Sequence, residues 1–391
     1  MSLFSLVAEK RMMATAQKKT ILIAGISLAV ILVGVLIWYA SPSLQEALFG
    51  EAIRGGSRAL GGSACTPDRW NYWIVGSAEE VGLSGTQETL LFSSGNGWQR
   101  TSLEHLNLGE VDFQEVWGSS PRDVWAVGKL GTVLKYDGGS WQKLTLPRRN
   151  PLAGNSFYSV WGTSRRDIWV GTGHPTFSSF EDGTLHYNGR SWTSFITNEA
   201  VYGLWGTSAR DIWAIGSGFI LHYDGSRWTP AVERLSSALF DVWGTSPRDV
   251  WAVGESGTIL HYDGVQWAPQ ASGTLNTLTA IWGSSHSDVW AVGAEGTLLH
   301  FDGTSWTRQQ VPERLLPAES HLENVFGSSA RDIFVIGGNG LILHYDGRSW
   351  ELQNANTAAT LTAGQAVKFP DTCGEGSHCT AGRCVPQPVA N

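Results

Sequence analysis

The chain has 391 residues, of which 47 are glycine, 20 are tryptophan and only 16% are charged, a mixture that suits many short strands joined by tight turns. Its formal net charge is -8 at pH 7, and it has no lysine- and arginine-rich footprint of the kind that binds phosphate backbones. The composition therefore excludes a nucleic-acid partner and favours a β-rich fold.

The first predicted element is a transmembrane signal-anchor helix at residues 21–39, after a cytoplasmic segment at residues 1–20. The run is apolar and uncharged, and it is long enough to cross a hydrocarbon core of about 30 Å. Basic residues precede it, whereas the next one after it is Arg54, so the positive-inside rule predicts a single pass through the cytoplasmic membrane with the N-terminus inside. A cleaved signal peptide is the alternative. Residues 40–64, rich in glycine and serine, predict a flexible linker in the periplasm or outside the cell.

A tandem repeat of about 38 to 44 residues follows and predicts a β-propeller at residues 65–370. Its clear copies open with motifs such as VWGTSPRDVWAVG, which begin at Val116, Val160, Leu204, Val242, Ile281 and Val325. An eroded copy with WIVG at Trp73 precedes them. Within a copy, four β-rich runs are separated by turn signals, which is the composition of one propeller blade. The sequence thus predicts an all-β, seven-bladed propeller of four-stranded blades, preceded by the one transmembrane helix.

The two ends of the repeat region are predicted to meet in one blade. Residues 360–364 (TLTAG) echo the TLTAIWG run that leads into Trp282, so a C-terminal strand should complete the blade that begins near Trp70. The join brings Cys65 close to the tail at residues 371–391, which carries Cys373, Cys379 and Cys384. In an oxidising compartment this even set predicts two disulfides, one of them from Cys65, with the connectivity open. A metal site in the tail is disfavoured because the C-x-x-C spacing is missing.

Three polar columns recur through the repeats, and we interpret each of them as structural. The third strand carries histidine in most copies, Lys135 in one and Phe92 in the eroded copy, and a repeated histidine is readily satisfied by a neighbouring Asp or Ser. A Ser or Thr follows each WG dipeptide as a turn hydroxyl. An aspartate that suits an Asx-type turn stands before the second strand at Asp123, Asp167, Asp211, Asp249, Asp288 and Asp332.

The run from Asp249 to Trp267, DVWAVGESGTILHYDGVQW, resembles the repeat of BNR-type propellers of the photosystem II assembly-factor-like family. The WGxSxxD opening resembles that of repeat proteins common in bacterial envelopes. The resemblance covers residues 70–350 and implies a propeller that acts by binding, often as an assembly or scaffolding factor for membrane complexes. The sequence has no GxSxG, HExxH or glycine-rich phosphate loop, so we expect no enzyme activity, no cofactor and no metal.

Loop lengths vary at only two of the four connections in a repeat. The first-to-second and third-to-fourth strand spacings are constant, whereas the second-to-third and blade-to-blade connections vary. In an up-and-down blade the two variable connections share one face, and variable loops on a rigid scaffold often form binding sites. Candidate partner-binding residues are His174, Phe177 and Phe180 in one long loop, and Arg148, Arg149, Phe157 and Tyr158 in the preceding connection. An equal alternative is that Phe177 and Phe180 only pack their own loop.

The sequence therefore favours a non-enzymatic interaction or assembly scaffold that binds an envelope protein or membrane complex through this face. A glycan-binding lectin is the alternative, because repeated Trp and Asp offer stacking surfaces and hydroxyl acceptors. The two hypotheses differ in one observable feature. A lectin repeats the same exposed aromatic side chain in many blades, whereas a protein binder has one patch that does not repeat.

Overall fold

The computed structural model describes residues 69–80, 86–147, 149–174, 181–197, 199–317, 319–369, 377–380 and 383–386. These residues form strands joined by turns, with single-turn 3-10 helices at Glu104–Leu106, Glu255–Gly257 and Gly338–Gly340. The strands, in chain order, are β1 (Trp70–Glu80), β2 (Thr86–Ser93), β3 (Gln99–Arg100), β4 (Phe113–Ser120), β5 (Asp123–Gly128), β6 (Thr132–Tyr136), β7 (Trp141–Leu144), β8 (Ser156–Ser164), β9 (Asp167–Gly173), β10 (Gly183–Tyr187), β11 (Trp192–Ile196), β12 (Val201–Ser208), β13 (Asp211–Tyr223), β14 (Trp228–Ser246), β15 (Asp249–Gly254), β16 (Ile259–Tyr262), β17 (Trp267–Gln270), β18 (Leu278–Ser285), β19 (Asp288–Gly293), β20 (Thr297–Phe301), β21 (Trp306–Arg308), β22 (Leu322–Ser329), β23 (Asp332–Gly337), β24 (Leu341–Tyr345), β25 (Trp350–Asn354), β26 (Leu361–Lys368), β27 (Ser377–Thr380) and β28 (Arg383–Pro386).

The strands are antiparallel and form six propeller sheets and one small hairpin. Five of the sheets have four strands, in the orders β26-β1-β2-β3, β4-β5-β6-β7, β8-β9-β10-β11, β18-β19-β20-β21 and β22-β23-β24-β25. The sixth sheet has six strands, in the order β12-β13-β14-β15-β16-β17, and β27 pairs with β28. The first strand of each four-stranded sheet lies on the inner side, and the last strand is the outer edge.

The prediction of seven separate four-stranded blades is wrong, because the third and fourth clear repeats (from Leu204 and Val242) do not form separate sheets. Strand β13 runs without a break through the positions where the other repeats turn between their second and third strands. Strand β14 likewise pairs with β13 through Trp228–Glu233 and with β15 through Leu239–Ser246. The shortened turn and the extended connection let hydrogen bonding continue across both repeats.

The sheets close into a ring through their inner strands. Strands β4, β8, β12, β14, β18, β22 and β26 each contact the next in this order, and β26 contacts β4. Strand β26 also pairs with β1, from Trp70 opposite Lys368 to Gly76 opposite Leu361. Residues from both ends of the described propeller therefore share one sheet, which stabilises the ring with backbone hydrogen bonds.

The glycine of the WG motif permits the close approach of neighbouring inner strands. A Cβ atom at Gly206 would lie 2.9 Å from Cη2 of Trp161, and one at Gly244 would lie 2.8 Å from Cη2 of Trp205. The same position also faces a backbone oxygen of its own repeat, that of Asp249 at 2.5 Å from a Cβ at Gly244. Each first-strand tryptophan thus packs onto the glycine of the next repeat, and the motif is explained by packing between repeats.

No helix long and apolar enough to cross a membrane occurs among the residues that the structure describes. The transmembrane helix predicted at residues 21–39 lies outside the described ranges, as do the cytoplasmic segment and the linker. Cys65 and Cys373 also lie outside them. Strands β27 and β28 bring the backbones of Cys379 and Cys384 opposite each other, and the predicted disulfides stay a prediction.

Candidate functional site

The connections that vary in length lie together on one face, which we call the variable face. The amide of Gly131, in a second-to-third strand turn, donates to the carbonyl of Asn155 in a connection between repeats (2.8 Å). The amide of Gly296 donates in the same way to the carbonyl of Ser320 (2.7 Å). Because turns and connections bond to each other in this way, the two kinds of variable loop form one surface.

The opposite face, which we call the uniform face, carries the constant turns. Here the arginine before the Asp column packs over the glycine of the third-to-fourth strand hairpin in the same repeat. A Cβ atom at Gly138 would lie 2.5 Å from Cγ of Arg122, and the same pairing recurs between Gly264 and Arg248 at 2.6 Å. This repeated contact fixes the spacing of both turns and explains why neither varies in length.

The Asp, His and Ser/Thr columns form one hydrogen-bonded cluster in each repeat near the uniform face. In the repeat of β15, the carboxylate of Asp249 accepts from Nε2 of His261 (2.7 Å), from Nε1 of Trp251 (3.0 Å) and from the hydroxyl of Thr245. The ring of His261 stacks on that of Trp251, with centroids 3.9 Å apart. Burial raises the pKa of Asp249, but the bonds from His261 and Thr245 outweigh it and lower the pKa below its usual value. The side chains of the three columns therefore satisfy one another's hydrogen-bonding groups.

Other repeats keep this cluster with small changes. His186, His222, His300 and His344 bond to the aspartate of their own repeat at 2.7 to 2.8 Å. Where Lys135 replaces the histidine, its ammonium lies 3.9 Å from the carboxylate of Asp123 and over the ring of Trp125. Such clusters hold the strands of a sheet together and leave little hydrogen-bonding capacity for a ligand.

The predicted partner-binding residues take several environments. Phe157 is fully buried in the core, beneath the variable face. Arg149 is exposed and Tyr158 is half-buried. The amide of His174 donates to a carboxylate oxygen of Asp182 (2.9 Å). The other candidates, Arg148, Phe177 and Phe180, lie outside the described residues. Of the predicted residues, Arg149, Tyr158 and His174 are thus described and at least partly accessible.

Tyr158 belongs to a row of aromatic side chains that the sequence analysis did not single out. Its ring packs edge-on against Tyr202, with centroids 5.3 Å apart, and Tyr202 is 6.0 Å from Phe240. The three residues come from neighbouring inner strands, β8, β12 and β14, and all are half-buried. Each stands three residues before the first-strand tryptophan of its repeat, towards the variable face. We call Tyr158, Tyr202 and Phe240 the aromatic row.

The aromatic row does not recur around the ring. The equivalent position, three residues before the first-strand aromatic of each clear repeat, holds Gln114, Thr279 and Glu323 in the other copies. The signal was present in the sequence, because the same repeat position carries an aromatic residue in three consecutive repeats. It becomes a contiguous patch only because inner strands of successive repeats are neighbours in the ring.

A second feature of the variable face is a groove beside the outer edge of the last clear repeat. It has a volume of about 690 Å³ and lies between the connection at residues 314–321, the turn at residues 338–341 and strand β25. Leu352 on β25 lines the groove and is 54% exposed. Among the described residues, no three His, Cys, Asp or Glu side chains converge on a position for a metal ion.

Closed rings of antiparallel sheets packed through their inner strands define the β-propeller class. Solved structures with this fold include Ycf48 bound to D1 peptide, with a TM-score of 0.55, 18% identity and coverage of 73% of this chain and 92% of that one. Ycf48 from Cyanidioschyzon merolae has a TM-score of 0.53 and 14% identity, covering 73% and 97% of the two chains. The WD40 repeats of RRP9 have a TM-score of 0.51 and 10% identity, covering 62% and 80%.

No family model matches the chain, and no curated protein matches it. At identities of 18% or less, the likeness to solved structures shows the propeller fold alone. The resemblance to the photosystem II assembly-factor-like family thus has support in the fold shared with Ycf48, whereas its BNR-type repeat is not confirmed.

Proposed function

We propose that this protein is a non-enzymatic interaction or assembly scaffold that binds a protein partner through the variable face. The observation that carries the proposal is the aromatic row. Aromatic side chains supply much of the binding energy of protein interfaces, and binding sites concentrate them in one patch. Tyr158, Tyr202 and Phe240 form such a patch, on the face where loop lengths also vary.

The partner that we propose is a polypeptide segment of an envelope protein or membrane complex. One solved propeller of the same fold, Ycf48, is bound to a D1 peptide, which supports a peptide-binding role for this architecture. The groove of about 690 Å³ beside β25 offers a second contact area for an extended segment. Its lining combines apolar side chains such as Leu352 with the amides of Gln353 and Asn354, which suits a peptide backbone.

We further propose that the protein acts at the outer side of the cytoplasmic membrane, held by residues 21–39. The support for this position is the apolar run and the basic residues before it. The propeller itself is compatible with a tether on the uniform face. The carbonyl of Arg69 accepts from the amide of Phe369 (2.9 Å), at the junction of β26 and β1 that corresponds to a constant turn. The chain therefore enters the propeller away from the variable face.

A lectin role receives less support from the side chains. The tryptophans of the second strand repeat in most copies, but Trp125, Trp169 and Trp251 are at most 1% exposed because they pack between neighbouring repeats. Buried rings offer no stacking surface to a sugar. Among the half-buried aromatic side chains outside the repeat motif, Tyr158, Tyr202 and Phe240 form one contiguous patch, which fits a protein partner better.

Site-specific photocrosslinking on the full-length, membrane-anchored protein tests the proposal. A photoreactive phenylalanine analogue at Tyr202 should give discrete protein adducts. The same analogue at Val265, which is 84% exposed on a hairpin of the uniform face, should give none. Tyr202→Ala should then weaken capture of that adduct partner about five- to thirtyfold, as loss of an interface anchor does.

The matched control variant for capture is Val265→Ala, which should leave partner binding unchanged. A glycan array probed with the same preparation tests the lectin alternative. Specific glycan binding, together with no protein adduct at Tyr202, would refute the scaffold proposal. Equal adducts at Tyr202 and Val265 would refute the assignment of the variable face.

A further inference from the structure

The inner strands line a cavity of about 120 Å³ on the axis of the ring. Its lining is mostly Trp, Val, Leu, Ile and Gly of the repeated inner-strand motif. Its polar side chains are Glu115, Ser159, Asp241, Asn324 and Gln365. No Lys, Arg or His lines this cavity, so the two carboxyl groups share it without a basic partner.

Asp241 joins two inner strands through its carboxylate. One oxygen accepts from the amide of Val242 on its own strand (2.8 Å), and the other accepts from the amide of Ile281 on β18 (2.8 Å). Ser159 has the same role between β8 and β12, where its hydroxyl accepts from the amide of Leu204 (3.0 Å). Asp241 is therefore a link in the ring, and unlike Ser159 it can carry a charge.

Glu115 lies on β4, in a different sheet from Asp241. Its carboxylate accepts from the amide of Val116 on its own strand (3.0 Å). Burial and the negative charge of Asp241 raise the pKa of Glu115 well above its usual value. Burial raises the pKa of Asp241 to about 7, against the two amide bonds, which lower it. The accessible part of each side chain opens onto the cavity, since both line it.

The other ionisable groups near these two strands do not line the cavity. Glu323 on β22 lies 3.8 Å from His321, and its pKa is raised by burial. The elements packed against β4 and β14 carry further ionisable residues that do not line the cavity, namely Tyr72, Glu79, Asp123, Tyr158, Tyr202, Asp211, His222, Tyr223, Asp249, Glu255 and Lys368. Glu115 and Asp241 are therefore the two ionisable residues that line the cavity.

We propose that Glu115 and Asp241 form a proton-operated clasp on the axis of the propeller. With a proton bound, the pair carries at most one charge and the ring closes around the cavity. With both carboxyls ionised, two like charges from different sheets share the cavity, and the ring is weakened. Mild acidification thus tightens the scaffold that carries the variable face. This inference is independent of the identity of any partner.

The sign of the pH effect follows from the raised pKa values. A carboxyl whose folded pKa exceeds its unfolded value binds protons more tightly in the folded state, so its contribution is present at low pH and is lost as the pH rises through the folded pKa. For Asp241 this window runs from the ordinary carboxyl pKa of 3.8 to the folded pKa of about 7. Each such group should lower the folding equilibrium constant up to about tenfold per pH unit inside its window.

Urea unfolding of the full-length protein between about pH 5 and pH 8 tests the clasp. Glu115→Gln keeps an oxygen that accepts from Val116 and removes one charge. In this variant the folding equilibrium constant should fall less steeply with pH, by up to about tenfold per pH unit. The variant should also be more stable than the wild type near pH 8. The control variant is Glu351→Gln on the outer strand β25, which is exposed and should leave the pH profile unchanged.

Carboxyl ¹³C NMR titration provides a second measurement that does not depend on unfolding. The wild type should show two carboxyl resonances that titrate above about pH 6, from Glu115 and Asp241, and Glu115→Gln should remove one of them. Parallel stability profiles for the wild type and Glu115→Gln would overturn the proposal. So would the absence of any carboxyl group titrating above about pH 6.

Discussion

The cluster around Asp249 provides the sharpest test of how the repeat stabilises the fold. In Asp249→Ala the carboxylate that accepts from His261, Trp251 and Thr245 is lost. Trp251 is only 1% exposed, so its indole N–H would stay buried without an acceptor. The side chains of His261 and Thr245 reach solvent and lose less.

The magnitude follows from this difference in burial. A buried donor without a partner costs about 1–3 kcal/mol, and the lost charge-assisted bonds of the two more exposed groups add a smaller amount. We expect Asp249→Ala to lower the free energy of unfolding by about 2–4 kcal/mol, a large part of a typical domain stability of about 5–15 kcal/mol. The midpoint of urea unfolding, measured near neutral pH, is the readout.

The matched control is Asp263→Ala in the hairpin of the same repeat. Asp263 accepts from the amides of Val265 and Gln266, but it is fully exposed, so water can replace its carboxylate. A much smaller loss of stability is expected there. If Asp249→Ala were no more harmful than Asp263→Ala, the cluster would not stabilise the fold, and the columns would need another explanation.

The pH dependence of the Asp249 effect has a definite sign. The folded pKa of Asp249 is lowered, so its stabilising contribution is present above the unfolded value and is lost as the pH falls through the folded pKa. The difference between the wild type and Asp249→Ala should therefore shrink on acidification below about pH 4. A difference that grew on acidification would contradict the assignment of these bonds to the ionised carboxylate.

Three further outcomes are expected. Gly244→Ala should cost at least about 1–3 kcal/mol in urea unfolding, because its Cβ would lie 2.5 Å from a backbone oxygen, whereas Gly154→Ala meets nothing within 4 Å and should be nearly neutral. Lys135→His should stabilise the fold by about 0.5–1.5 kcal/mol, since it restores the bond that other repeats make, and a lower unfolding midpoint would contradict this. Peptide mapping without reduction should find Cys379 linked to Cys384, because their backbones are opposed in antiparallel strands, and a different pairing would refute this connectivity.

Much of the fold could be predicted from the chain because its determinants are local. The D-G and N-G turns, the strand-forming runs and the WG motif each recur at a fixed place in the repeat, so one copy explains the others. The polar columns were interpreted as structural for the same reason. His261, for example, lies on the strand paired with that of Asp249 and bonds to it within one repeat. The grouping of variable loops on one face likewise follows from counting residues between fixed positions.

The candidate site was harder to predict from the sequence, because it depends on how the inner strands close into a ring. Phe157 and Tyr158 are adjacent in sequence, and the sequence analysis treated them alike. The structure buries Phe157 in the core and leaves Tyr158 against Tyr202, because neighbouring residues of an inner strand point in different directions. The count of sheets also changed, since the short turn within β13 and the extended connection within β14 let two repeats pair as one sheet.

The sequence by itself determined the repeat, the all-β class, the structural role of the recurring polar residues and the face that carries the variable loops. Only the tertiary structure decided the number of sheets, the contiguity of the aromatic row and the position of Glu115 and Asp241 at one cavity on the axis. The physical reason is the range of the interactions. Turns and strand pairs form between residues close in the chain, whereas the row and the cavity exist only once the ring of inner strands has closed.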